Sequence, residues 1–261
     1  MFQTNQGPSF PAHQFLFGGT SAPTAGDDAA GIFAAENMSG AARIAGCIAE
    51  SGTTVALIGP QGGESQKIYP CFEHSTMADV LPAAFSWRYY SPNAGSIWTA
   101  PNAIAHICQS SGPGGVCTGQ DWSKNVNLTP ANVLNDIANC NLRSVSWVIP
   151  TGANSDHANS NDGGGPSWVA AIVNAIGKSK ACDDNIGYWN NTAIFITWDD
   201  WGGWYDHVRP TILGPPQGNY QLGFRVPLIV VSAYTPEGYI NNNRHDFGSI
   251  LRFIEHNFGI H

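Results

Sequence analysis

The chemistry in this chain is concentrated where apolar runs end in acids and imidazoles. Ala193–Thr197 is a short apolar stretch that leads directly into Trp198-Asp199-Asp200-Trp201-Gly202-Gly203-Trp204-Tyr205-Asp206-His207-Val208. Two adjacent carboxylates leaving a buried strand repel each other and lose solvation, so the pair calls for a cationic partner, most simply a divalent metal ion. The two glycines allow the backbone to turn sharply or to approach a ligand closely. A second acid–imidazole pair, Asp156 and His157, follows another apolar run, Val145–Pro150, in a turn-rich loop. Each has an ordinary reading: an Asp-Asp pair is commonly a solvated turn, and Asp206-His207-Val208 can merely cap a loop. Two such loops, at strand ends that a parallel sheet sets side by side, weigh toward a metal or catalytic site.

The elements that must position these groups are legible from their periods. Val145–Pro150, Ala193–Thr197 and Pro227–Ser232 read as buried strands. Gly165–Gly177 reads as a helix with Trp168, Val169, Ile172, Val173 and Ile176 on one face. Thr129 and Pro130 look like the N-cap and first residue of a helix through Val133, Leu134 and Ile137. A short helix is expected after Thr76. The last segment opens at Asp246, aligns Ile250, Leu251, Ile254 and Phe258, and stops at Gly259. With no internal repeat, long linker or charge block, residues 1–261 read as a single domain. The alternation predicts an α/β fold, a mostly parallel central sheet with helices on both faces and ligands beyond the carboxyl ends of the strands.

Composition narrows the partners. The 261 residues are 43% hydrophobic, enough for one sizeable core. Only 11% are charged, against about 25% in an average soluble protein. The net charge of -8, without a Lys/Arg cluster, argues against nucleic acid. A bound cation would still let an acidic protein handle an anionic phosphate ester. No apolar run approaches the ~20 residues of a membrane span, so no integral membrane segment is expected. Nine Trp, many Asn and low charge also fit a secreted non-catalytic carbohydrate-binding module, although such a module has no need of paired acids and imidazoles at strand ends.

Six cysteines, at 47, 71, 108, 117, 140 and 182, form no C-x-x-C pair. Cys108 and Cys117 flank a Gly-rich loop, and Cys47 and Cys71 bracket a hairpin-like stretch, which makes these the preferred disulfides. The alternative is six buried free thiols. Disulfides point to a secreted or periplasmic protein, yet the segment starting Met1-Phe2-Gln3 has neither a basic nor an apolar leader region.

The segment Trp189–Pro210, with its Asp-Asp-x-Gly-Gly-x-x-Asp-His-Val core, resembles the signature of a phosphoesterase family that holds bacterial phospholipases C, of the phosphatidylcholine-hydrolysing non-haemolytic type, and acid phosphatases within the alkaline phosphatase superfamily. Gly223–Ser232, Ser155-Asp156-His157, Ser249–Glu255 and the opening Gln6–Gln14 with Gly18–Ser21 are similar to it as well, so the likeness covers nearly the whole chain. The resemblance implies metal-dependent phosphate ester hydrolysis through a hydroxyl nucleophile two residues before a proline, which is Ser9 here. It implies metal-binding roles for Asp199 and Asp200 and a phosphate-site role for His157, with weaker substrate-site roles for His207 and His13. The expected cofactor is one divalent ion, Ca, Mg or Mn favoured and Zn second. The substrate is a phospholipid cleaved at its phosphodiester, or alternatively a small phosphomonoester. The family's remaining metal ligands are a Glu-Asn pair upstream of the nucleophile. Glu36-Asn37 lies downstream of Ser9 and reads as a surface turn or helix end. The expectation is therefore an incomplete, alkaline-phosphatase-like domain lacking its signal peptide, its first strand and a C-terminal tail.

Overall fold

The computed structural model describes residues 1–39, 44–64, 66–160, 163–179, 182, 187–213 and 220–260. Its strands are β1 (Phe33–Ala34), β2 (Val55–Ile58), β3 (Gln66–Ile68), β4 (Trp87–Tyr90), β5 (Val126–Asn127), β6 (Val145–Val148), β7 (Ala193–Thr197) and β8 (Leu228–Ser232). Its α-helices are α1 (Ser9–Gly18), α2 (Ala25–Ala29), α3 (Met77–Val80), α4 (Ala105–Cys108), α5 (Gln120–Asn125), α6 (Asn132–Ala138), α7 (Gly165–Gly177) and α8 (Phe247–Phe258).

The parallel layer is the three-stranded sheet β5-β4-β6, in which Tyr89 pairs with Val126 and with Trp147. Strand alternation divides β4 between two cores. Trp87 and Tyr89 join the cluster built around Phe17 of α1, whereas Tyr90 joins Val133, Ile137 and Ile176 of α6 and α7. Helices thus cover both faces of this sheet, as an α/β layer requires. Arg88 points to the α6 side and is neutralised there by Asp136, 2.7 Å from its Nη1, while Tyr90 donates its hydroxyl to the same carboxylate at 2.6 Å.

Two features differ from the sequence expectation. The sheet is not mostly parallel throughout: β7 and β8 pair antiparallel, Phe195 opposite Val230, and β1-β2-β3 is an antiparallel sheet of its own. The physical reason lies in the connection. A parallel return needs a crossover that is usually a helix, and the described part of the β7–β8 connection contains none. The second difference is α1. Its sequence carries no amphipathic stripe, because the helix is buried on every side: Phe10, Ala12, His13, Gln14, Phe15 and Phe17 are all inside. Phe17 packs edge-on against Trp147 and Tyr89, with ring centroids 5.0 and 5.6 Å away. Each such pair adds about 0.5–1.5 kcal/mol beyond the area buried. Trp147 also donates its indole N–H to the Leu16 carbonyl. These contacts fix α1 against the parallel sheet.

Other elements follow the sequence closely. In α8 the Asp246 carboxylate accepts from the Ser249 N–H at 3.2 Å, and Gly259 closes the helix in the left-handed conformation. The helix expected from Thr129-Pro130 instead begins at Asn132, after a turn in which Asn132 donates to the Thr129 carbonyl. All six cysteines are paired, as Cys47–Cys71, Cys108–Cys117 and Cys140–Cys182. Both preferred pairs are present, and the free-thiol alternative is excluded. No helix among the described residues is long and apolar enough to cross a membrane.

Candidate active site

The site forms where the first helix meets the loop after β7. Ser9 is the first residue of α1 and is almost fully buried. Its hydroxyl turns away from the helix and donates to Oδ2 of Asp200 at 2.9 Å. Asp200 is shaped by its own loop: its Oδ1 accepts from the Gly202 N–H at 2.7 Å. Gly202 has φ +62°, a left-handed conformation that glycine adopts without the steric cost of a side chain. A side chain there would also crowd the Trp204 ring, and would touch Ala158, next to His157.

Asp199 is served by α1 as well. Nε2 of His13, one turn after Ser9, lies 3.3 Å from Asp199 Oδ2. That contact is close enough for charge attraction but off the hydrogen-bond direction, so Oδ2 remains buried without a hydrogen-bond partner. On the other side of the ring, Nδ1 is 3.2 Å from the Tyr89 hydroxyl. That hydroxyl donates to the Trp98 carbonyl at 2.8 Å, so the Nδ1–H is the donor to Tyr89. Burial raises the Asp199 pKa, but His13 and then Ser9 outweigh it and hold the carboxyl below its usual range. Asp200 moves the other way: burial first, and the Asp199 charge second, push it up. The two neighbouring acids are therefore driven apart, Asp199 downward and Asp200 upward from the ordinary aspartate value.

The donor set fits a hard divalent ion in part. Asp199 Oδ2 is an orphaned anionic oxygen; the Ser9 hydroxyl, which sits on Asp200 Oδ2, and the Asp200 carboxylate both lie close enough to the Asp199 carboxylate to shift or be shifted by it. These three oxygens are fewer than the six or more that Ca²⁺ or Mg²⁺ takes. Among the described residues, no group of three or more His, Cys, Asp or Glu side chains is placed to hold a metal.

The remaining candidates divide. His157 is exposed, rests against the Trp98 ring with centroids 6.0 Å apart and engages the Ala158 carbonyl through Nδ1, which leaves Nε2 without a partner among the described residues. It is close enough for its charge to act on Asp200, so the loops after β6 and β7 do meet, although their strands share no ladder among the described residues. His207 does not join the group. Its side chain is 86% exposed, 3.7 Å from Asp206. Asp206 itself is structural: it takes a bidentate grip from Arg225 at 2.6 and 2.9 Å and caps Val208. Arg225 holds its pKa well below the usual carboxylate range.

Two further residues, Gln3 and Tyr89, escaped the sequence reading, and a third, Asn37, reads there only as part of a surface turn or helix end. Gln3, completely buried, donates to the Gly7 carbonyl and accepts from the Trp201 N–H, tying the segment before Ser9 to the acid loop. Tyr89 sets the His13 ring. Asn37 accepts from the Phe10 N–H at 3.1 Å. The Glu36-Asn37 pair is an exposed turn, as expected, but it does follow a strand, the short β1. No local sequence signal marks these three, because their partners lie far along the chain.

A family model described as "Phosphoesterase family" matches residues 1–261. The chain belongs to that family, which leaves the carbohydrate-binding alternative without support. Among curated proteins it is similar to a non-hemolytic phospholipase C of Burkholderia pseudomallei, 29% identical over 76% of this chain and 31% of that protein. It is also similar to a non-hemolytic phospholipase C of Pseudomonas aeruginosa, 25% identical over 48% of this chain and 21% of the relative. Phospholipase C A of Mycobacterium tuberculosis is 27% identical over 50% of this chain and 28% of its own length. The chain spans about a third of these relatives or less.

Proposed function

We propose that this chain carries the nucleophile and part of the metal site of an enzyme that hydrolyses phosphate esters, with phospholipase C-type diester cleavage as the leading activity. The observation that carries the reading is the Ser9 hydroxyl held on Asp200, with the orphaned Asp199 oxygen beside it. An alkaline-phosphatase-like architecture accords with the α/β layer and with acids at strand ends. Three disulfides favour a secreted or periplasmic setting.

In this mechanism Ser9 Oγ attacks phosphorus in line, the bond to the leaving oxygen breaks, and water later hydrolyses the phosphoserine. Asp200 Oδ2 orients the hydroxyl and is the first acceptor for its proton. The Ser9 N–H, at the helix N-terminus and without a partner among the described residues, is available to a phosphoryl oxygen. His157 Nε2 is free to stabilise that oxygen or to protonate the leaving alcohol. A divalent ion bound by Asp199 and Asp200, Ca, Mg or Mn before Zn, would add positive charge at the phosphoryl oxygens and acidify the Ser9 hydroxyl.

The diester reading draws on the rim. Trp204 and Tyr205 are 71% and 81% exposed just past the acids, and Tyr205 and Trp201 both lean on Phe224. This apolar shelf suits an acyl glycerol better than a small phosphomonoester. Hydrolysis of p-nitrophenylphosphocholine and of p-nitrophenyl phosphate, with and without EDTA and added Ca²⁺, Mg²⁺, Mn²⁺ or Zn²⁺, tests it. Metal-dependent release from the diester is expected. Release from the monoester alone would favour a phosphatase, and no release from a folded sample would overturn the proposal.

A further inference from the structure

A serine in the first turn of a helix ordinarily has a local use for its hydroxyl. It can bend back and accept from a free N–H of that turn, since these groups have no intrahelical partner. In α1 the hydroxyl does something else: it reaches Asp200. The free donors of this turn are few. Pro11 has no N–H, and Ala12 donates to the Pro8 carbonyl. The N-cap, Pro8, has no side-chain acceptor. That leaves the Ser9 and Phe10 N–H groups, and the second is taken by Asn37 Oδ1 at 3.1 Å, from a segment 27 residues downstream.

The delivery of Asn37 is built into the backbone. Gly7 and Ala35 pack so closely that any side chain at residue 7 would collide with the Ala35 carbonyl. This contact brings the end of β1 against the start of α1 and sets Asn37, two residues past Ala35, over the peptide that follows the nucleophile. The side chain is otherwise exposed, so burial of its own surface does not account for its position.

We infer that Asn37 is a positioning residue for the nucleophile: by accepting from the Phe10 N–H it holds the peptide that follows Ser9 and so keeps Oγ directed at the acids. The inference rests on the reading of Ser9 as nucleophile. Without Asn37, the Phe10 N–H loses its acceptor, the peptide that follows Ser9 is no longer held, and the population with Oγ on Asp200 falls. The effect belongs to the chemical step and not to substrate affinity.

The test compares Asn37→Ala, Asn37→Asp and Ser9→Ala with the unsubstituted chain, with p-nitrophenyl ester kinetics, acid-quenched mass spectrometry for phosphate on Ser9, and thermal melts. Loss of a cap and of nucleophile alignment should lower kcat about tenfold in Asn37→Ala with KM within about twofold. Asn37→Asp retains the acceptor and should recover most of kcat. A kcat unchanged in Asn37→Ala, or Asn37→Asp no better than Asn37→Ala, overturns the positioning role while the Ser9 reading stands. Turnover that survives in Ser9→Ala, or the absence of both turnover and phosphoserine in the unsubstituted chain, overturns both. A fall in melting temperature with unchanged kcat assigns Asn37 to stability alone and also overturns the inference.

Discussion

Ser9 and Asp200 stand 191 residues apart in the chain and a single 2.9 Å hydrogen bond apart in space. The bond joins the start of a buried helix to the loop that leaves β7, and Gln3 braces the junction through Gly7 and Trp201. It is a costly arrangement unless used, because it confines a hydroxyl and two carboxylates in a partly desolvated corner.

On the proposed mechanism, Ser9→Ala removes the attacking atom and little else. Turnover should fall by at least about a thousandfold, while stability changes by only about 1 kcal/mol, the net worth of one hydrogen bond. Steady-state kinetics and urea unfolding read the two separately. Turnover near the starting level would exclude Ser9 as nucleophile.

Replacing either acid tests the metal reading. Asp199→Asn and Asp200→Asn should each weaken Mn²⁺ or Mg²⁺ binding by at least about tenfold, since each removes an anionic ligand from a small oxygen set. Ser9→Ala should leave the affinity close to its original value. Titration calorimetry measures both, and equal affinity in all three variants would remove these carboxylates from the metal site.

How much of this was legible beforehand depended on whether the signal was local. The caps of α8, Asp246 and Gly259, and the extent of α7 and β7 were readable because the neighbouring residues alone impose them. The acids were readable because a strand end dictates where Asp199 and Asp200 must emerge. By contrast α1 has no stripe to read, being buried all round. Strand β4, Trp-Arg-Tyr-Tyr, hides its central place behind a charge that only Asp136 makes tolerable. Ser9 has no local mark at all and was reached through family resemblance. His207 shows the converse: it sits in the most recognisable segment, yet its side chain lies exposed beside Asp206, because spacing does not reveal which way a loop side chain points.

The His106 cluster predicts a pH dependence unrelated to catalysis. Its Nδ1 is 2.7 Å from Glu73 and its Nε2 3.0 Å from Asp79, so both ring nitrogens face carboxylates. Burial lowers its pKa, but the Glu73 hydrogen bond and the two charges together raise it above the usual histidine value. A basic group raised on folding stabilises fully below its unfolded pKa, about 6.5, and that contribution disappears as pH climbs through the folded value. The melting-temperature gap between the unsubstituted chain and His106→Gln should therefore be widest near pH 5.5 and close toward pH 9 in mild salt. His74, whose pKa burial lowers most and the His106 charge lowers further, makes the chain less stable in acid; the burial part is common to both proteins, and only the smaller His106 part differs between them. A gap that widens with pH would reverse the assignment.

The Asp136 carboxylate offers the sharpest stability test, because one side chain holds two elements together. It reaches from α6 to Arg88 at 2.7 Å and to the Tyr90 hydroxyl at 2.6 Å, both on β4, the middle strand of the parallel sheet. The Arg88 and Asp136 side chains are 15% and 17% exposed. Asp136→Ala leaves a guanidinium and a hydroxyl without their acceptor in a mostly dry place, and breaking one partner of a buried pair costs about 3–5 kcal/mol. Slight exposure places the expectation at about 3 kcal/mol by urea unfolding. Asp136→Asn keeps an acceptor for Tyr90 but loses the charge, and should fall between. Arg88→Met together with Asp136→Leu removes both charges and should lose less than Asp136→Ala alone, since no uncompensated charge remains. If the double variant is the least stable, the pair contributes net attraction beyond its own desolvation, and the sheet depends on the ion pair itself and not merely on its neutrality.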